Sequence, residues 1–344
     1  MNLITMIPIS LLRFYRGTNR ATYCRALAAI GVMTIHFGGF GIRDLFSSQS
    51  FLNQLLNNLI DFGGQGPTIF FVASGFVLQS AYGNKKELWE ILVIRYFRLA
   101  PAYIVVSSLA IYFQDLHEDM HLSLAVQKIL FLDIFFFDAY EFNPIGIGYF
   151  VVIEFWLSFF LIATRYSARA TNSRRHLASI TTLTLVSFIL SYFCRSIASV
   201  IGLETFQIEI LKYQFFFIVG AVAFEVKAKY QVHRGLQILV IPIVYLVLNS
   251  DLYHGYLASL LTIVILITEE AYDGQHPVKL LIIIGNICYS IYLLHIPLLR
   301  ILGTNASEPQ IVFCALLVLF LSSIVYLLVE LPFMNFGKRI VQRI

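Results

Sequence analysis

The chain has 344 residues, 58% of them hydrophobic and 13% charged, with a mean hydropathy of +0.78 and a net charge of +4. A soluble globular domain carries about 25% charged residues, so this composition excludes one and predicts a polytopic membrane protein. The positive balance does not point to nucleic acid, because the lysines and arginines sit in short connectors between apolar runs, as in cytoplasmic loops of membrane proteins.

Residues 1–21, MNLITMIPISLLRFYRGTNRA, contain a short apolar stretch with no basic residue ahead of it and no small-residue cleavage site. They are expected to be a cytoplasmic or interfacial segment rather than a cleaved signal peptide. A helix that crosses about 30 Å of hydrocarbon takes roughly 17–25 mainly apolar residues. Ten stretches are predicted as spans: 22–40, 62–81, 94–113, 145–164, 177–195, 208–224, 235–249, 253–268, 280–300 and 311–330. The expected fold is therefore an all-α polytopic bundle of about ten transmembrane helices within residues 22–335, followed by a basic cytoplasmic tail at 336–344. The run 129–137, ILFLDIFFF, is too short to span and carries Asp133, so it reads as interfacial or re-entrant. With the N-terminus cytoplasmic, nineteen lysines and arginines fall on inside segments and four (Arg43, Lys128, Arg195, Arg300) outside, which predicts both termini in the cytoplasm.

The stretch Tyr23 to Gly41, which holds most of the first span, carries Arg25 and, eleven residues on, His36. Eleven residues are close to three helical turns, so the two side chains share one stripe about 16 Å long. An ionisable side chain in hydrocarbon is costly and usually faces a bundle interior or a wet cavity, which makes His36 a functional candidate; the bland alternative is a core histidine bonded to a carbonyl. The second span opens with GGQGPTIFFVASGF, where Ser74 and Gly75 make a small-residue face that either packs a neighbouring helix or widens a passage. Arg95 and Arg98, three apart in IRYFRLAP, lie on one helix face at the cytoplasmic edge. They suit a phosphate or pyrophosphate, though such arginines also serve as topology markers and lipid-headgroup contacts.

The external loop at about 114–144 holds His117, Glu118 and His121, an HExxH string with Glu141 twenty residues beyond. Zinc peptidases use that pattern on a helix that turns both histidines to one side, whereas here it lies in a charged connector, so no metal site is expected. The fourth span buries Glu154, which needs a partner such as an intramembrane histidine or arginine. The ninth carries Tyr289, Tyr292 and His295; the tenth ends at Glu330, with Pro332 expected to stop the helix. Cys24, Cys194, Cys288 and Cys314 show no ligand-like spacing and read as packing residues.

From Tyr23 to Lys338 the chain resembles the acyltransferase-3 family of integral-membrane O-acyltransferases. The resemblance rests on five pieces in the family's order: RALAAIGVMTIH (Arg25 to His36), GPTIFFVASGF (Gly66 to Phe76), RYFR (Arg95 to Arg98), IEFW around Glu154, and GNICYSIYLLHIP followed by VELPF. Thr68 stands where an aspartate is common, and Tyr149 where a tryptophan often precedes the glutamate. The resemblance implies transfer of an acyl group, most often acetyl, from cytoplasmic acyl-CoA to a hydroxyl of a cell-surface or exported glycan. For that reaction His36 is expected as general base with Glu154 orienting or charge-stabilising it, and Arg25, Arg95 and Arg98 as donor-binding residues. Ser74, Tyr292, His295 and Glu330 would act as acceptor or support residues. Acyl-CoA is then a co-substrate with no bound cofactor, the other partners are a polysaccharide or lipid-linked glycan and the bilayer, and the location is a bacterial inner membrane. A polytopic transporter or flippase of a glycan or lipid-linked intermediate would use the same buried ionisable residues.

Overall fold

The computed structural model describes residues 19–37, 57, 58, 60–82, 87–113, 122–132, 145, 149–169, 186, 189, 205–230, 254–268, 279–302 and 307–343. Among these residues every element is helical and no strand occurs. In chain order they are α1 (Asn19–Phe37), α2 (Gly66–Tyr82), α3 (Leu88–Phe113), α4 (Leu122–Ile129), α5 (Tyr149–Arg169) and α6 (Thr205–Lys229). There follow α7 (His254–Ile267), α8 (Lys279–Leu302), α9 (Glu308–Val325), a π-helical turn (Tyr326–Glu330) and α10 (Leu331–Arg343). Among the described residues three helical runs are long and apolar enough to cross a membrane: Trp89–Phe113, Lys279–Leu302 and Pro309–Arg343. Gly66–Ala81, Phe150–Ile162 and Gly255–Ile267 are shorter apolar helices. Described helices lie at eight of the ten expected spans; 177–195, apart from Val186 and Ile189, and 235–249 lie outside the described residues.

The chain divides into two compact units, one of Met1–Ala73 with Tyr230–Leu331 and one of Ser74–Lys229 with Pro332–Ile344. In the first unit α8 packs against α1 and α9 over a core that includes Phe37, Ile291, Leu299, Ile311 and Val318. Close approach depends on glycine. A Cβ added to Gly285 of α8 would overlap the Thr22 carbonyl of α1, and one on Gly66 would come within 2.6 Å of the Ala28 carbonyl. Small residues at such contacts let helix backbones meet, the main source of helix association where lipid tails are as apolar as the side chains. Arg20 fastens the N-terminal end of α1 to the C-terminal end of α7, donating from Nη1 to the carbonyls of Ile265 (2.9 Å) and Thr268 (2.6 Å) and to the Thr268 hydroxyl. The last carbonyls of an α-helix lack backbone donors from the next turn, and a cation there also meets the negative end of the helix dipole.

In the second unit α3 packs against α5, and the short α4 turns in beside them. Of the run 129–137, residues 129–132 are described. Phe131 takes a left-handed backbone (φ 57°), is fully buried, and is surrounded by the rings of Tyr96, Tyr103 and Phe155. Trp156 Nε1 donates to the Phe131 carbonyl at 2.6 Å, supplying the partner that a chain leaving a helix loses. Gly75 of α2 meets α6 so closely that a Cβ would overlap the Phe217 carbonyl, so at Gly75 the small face of α2 serves packing.

The expected helix stop at Pro332 does not occur. The helix runs on from α9 through the π-helical turn into α10 as far as Arg343, so 336–343 are helical. The physical reason is the widened turn. Leu331 N–H donates to the Tyr326 carbonyl, five residues back, and Pro332 then enters as the second residue of α10, where a missing N–H and a fixed φ are tolerated. α10 is amphipathic, with Gly337 and Val341 buried, Phe333 and Phe336 exposed, and Lys338, Arg339 and Arg343 along its length. Within the second unit a Cβ on Gly337 would come within 2.8 Å of Phe97 Cβ on α3.

Candidate functional site

In the first unit, α1, α2 and α8 together present a continuous line of polar and aromatic side chains. Arg25 and His36 stand on α1, Phe70 on α2, and Tyr292 and His295 on α8, three residues apart and so on one face. The Arg25 guanidinium lies 5.9 Å from the centroid of the Phe70 ring, a cation–π distance. Phe70 stacks on Tyr292 with centroids 6.3 Å apart and planes at 15°; Tyr292 is 5.7 Å from His295, and His295 is 5.2 Å from His36. The stripe from Arg25 to His36, about 16 Å of helix rise, is thus bridged ring by ring by residues of two other helices. Arg25 and Tyr292 are buried and His295 is completely so, whereas His36 and Phe70 keep partial exposure.

His295 has a definite hydrogen-bonding state. Its Nδ1 lies 3.0 Å from the Ile291 carbonyl one turn back on α8. A carbonyl only accepts, so Nδ1 carries the hydrogen, and in the neutral ring Nε2 is left as a bare acceptor. Among the described residues no hydrogen-bond partner reaches that Nε2, although it is buried. A second polar contact in this unit joins the Ser290 hydroxyl of α8, as donor, to Glu330, which the π-helical turn holds in a buried position. π-turns are frequent where a helix must present a functional side chain.

The second unit holds an ionic cluster. Arg95 Nη2 of α3 lies 3.4 Å from Glu154 Oε1 of α5 and donates to the Ser158 hydroxyl at 2.7 Å; that hydroxyl donates to the Glu154 carbonyl at 2.7 Å. Arg95 and Glu154 are both 2% exposed, while Arg98, one helical turn on, is half-buried. Glu154, expected to orient His36, is bonded to Arg95, and the ring beside His36 is that of His295. Ser74 is fully buried on α2 in this unit.

Arg25, His36, Tyr292 and His295 therefore come together, as do Arg95 and Glu154, and Glu330 meets a serine. Phe70 carries no sequence signal beyond being one aromatic among many in an apolar run. Ser158 could have been found as the residue four beyond Glu154, on the same helix face. His117, His121 and Glu141 lie outside the described residues; among those described, no three His, Cys, Asp or Glu side chains cluster as a metal site would require.

Residues 19–329 match the family model described as an acyltransferase domain, Acyl_transf_3. No curated protein matches the chain, and no solved structure does.

Proposed function

We propose that this chain, which belongs to the acyltransferase-3 family, moves an acetyl or similar acyl group from cytoplasmic acyl-CoA to a hydroxyl of a cell-surface or exported glycan. The observation that carries this is the stripe from Arg25 through Phe70, Tyr292 and His295 to His36. It offers a guanidinium at one end, aromatic walls between, and an imidazole pair at the other. That sequence of chemistries suits a donor with an anionic head, an extended arm and a reactive thioester.

Arg25 holds the donor by charge-assisted hydrogen bonds, and the pantetheine arm extends past Phe70 and Tyr292. His36 takes the proton of the acceptor hydroxyl as its oxygen attacks the thioester carbonyl. Imidazole suits the task because its ordinary pKa lies near neutrality. A new C–O bond forms, the C–S bond breaks, and the proton held by His36 passes to the departing thiolate to give CoA–SH. Arg98, half-buried on α3, is suited to a phosphate, and Arg95, committed to Glu154 and Ser158, holds α3 in place for it. Ser74 and Glu330 support the helices that carry these groups. The location that fits is a bacterial inner membrane.

The deciding experiment follows radiolabelled acetyl from acetyl-CoA into surface glycan in membranes that hold wild-type protein or an equally expressed His36→Ala variant. Label is expected with wild type and at least about 100-fold less with the variant, the loss typical of a general base. Equal transfer by both would remove His36 from the chemistry. No transfer by either, against a panel of glycans, would leave the same buried ionisable residues to a transporter.

A further inference from the structure

We infer that His295 is a positioning residue for His36, its Nε2 accepting the ring N–H of His36 so that the opposite nitrogen of His36 is presented to the acceptor hydroxyl; this rests on His36 being the general base. Three observations converge. The Nδ1–H of His295 is committed to the Ile291 carbonyl at 3.0 Å, which fixes the tautomer and leaves Nε2 as an acceptor only. That Nε2 is buried and, among the described residues, has no donor. A buried acceptor left without a donor is destabilising, so a folded protein has reason to supply one.

The third observation is distance. The centroids of His36 and His295 are 5.2 Å apart. In an imidazole each nitrogen lies about 1.1–1.2 Å from the centroid, and an N–H···N bond is about 3 Å long, so two bonded rings have centroids roughly 5.2–5.4 Å apart. The planes stand at 51° to one another, and rotation of the half-buried His36 ring about its Cβ–Cγ bond brings its N–H toward Nε2. α8 thereby does for His36 what an acidic partner does for the histidine of a hydrolase: it selects the tautomer and the ring orientation. It does so without placing a second charge in hydrocarbon, where an ionised carboxylate would be costly.

His295 offers two nitrogens, and two substitutions separate them. Gln at 295 places an amide oxygen near the position of Nε2 and keeps the acceptor. Asn places its amide nitrogen near Nδ1, keeping the bond to Ile291 and losing the acceptor. Both bury one neutral amide, so each controls for the folding cost of the other. Purified full-length His295→Gln and His295→Asn proteins, normalised to folded protein by gel filtration, are assayed for kcat and for the KM of acetyl-CoA, with His36→Ala alongside. The expected result is a kcat within about tenfold of wild type for His295→Gln and at least about 100-fold lower for His295→Asn, with KM unchanged within about threefold in both. Equal kcat values for the two variants, high or low, would overturn the positioning role, as would a change confined to KM. If His36→Ala transfers acetyl like wild type, the general-base assignment has failed and this inference with it. If His36→Ala is inactive and His295→Asn is not, only the inference falls.

Discussion

Arg95 and Glu154 lie 3.4 Å apart and are each 2% exposed, so neither charge has water to fall back on. Attraction between buried ions roughly offsets their desolvation, and removing one partner strands the other; the cost of doing so is about 3–5 kcal/mol. Glu154→Ala should therefore lower stability by that order, seen as a fall of several degrees in the melting temperature of detergent-purified protein. Glu154→Gln, which can still accept from Arg95, should cost less. The double variant Arg95→Met with Glu154→Leu removes both charges at similar volume and should recover most of the loss, because a well-packed apolar pair is often as stable as an ion pair. A double variant as unstable as the sum of its parts would mean that the two side chains act independently. The residue types at these positions were readable from the chain, since a lone carboxylate in an apolar run demands a partner. Which partner was not readable. Glu154 and Arg95 are 59 residues apart, and only the packing of α3 on α5 selects the arginine over a histidine.

At the scale of helices, Gly285 decides how near α8 comes to α1. Its missing Cβ is filled by the Thr22 carbonyl, a backbone atom that cannot rotate away. Gly285→Ala must push the two helices apart or distort one of them, and overpacking of this kind costs about 1–3 kcal/mol. The expected outcome is a lower melting temperature together with reduced acyl transfer per folded protein, because α8 also carries Tyr292 and His295 toward His36 of α1. A Gly285→Ala protein that melts and transfers like wild type would show that this contact neither holds the helices nor sets the site. The apolar runs of α1, α3, α8 and α9 announced themselves by length and composition, and Arg25 and His36 by spacing. The π-helical turn did not. Pro332 reads as a stop under ordinary α-helical bonding, and a shift to five-residue bonding over Tyr326–Glu330 has no composition of its own to reveal it. Contacts such as Gly285 on Thr22 join positions more than 260 residues apart, and sequence periodicity marks a face without naming what covers it.

For the whole molecule, the distribution of charge is a stronger guide to orientation than any single helix. Apolar length identifies a span without giving its direction, whereas lysine and arginine are retained on the cytoplasmic side. Nineteen of these residues fall on segments that one orientation places inside and four on segments it places outside, and reversing the chain would exchange those numbers. The bias is also spread along the chain, from Arg13 through Lys85, Arg174 and Lys227 to Lys338, so it does not depend on one loop. α10 adds a second cue: an amphipathic helix with Phe333 and Phe336 exposed beside Lys338, Arg339 and Arg343 suits an interface whose headgroups are anionic. Three fusions test the consequence. A fluorescent protein after Ile344 should fold and fluoresce, while alkaline phosphatase at the same point should be inactive, because it needs an oxidising compartment for its disulfides. Alkaline phosphatase inserted at about residue 120 should be active. An active C-terminal phosphatase with an active insertion at 120 would require an odd number of crossings after that loop to become even, and would break the ten-span count. A silent insertion at 120 would reverse the orientation and place Arg95 and Arg98 at the opposite face of the membrane, against the proposed cytoplasmic donor.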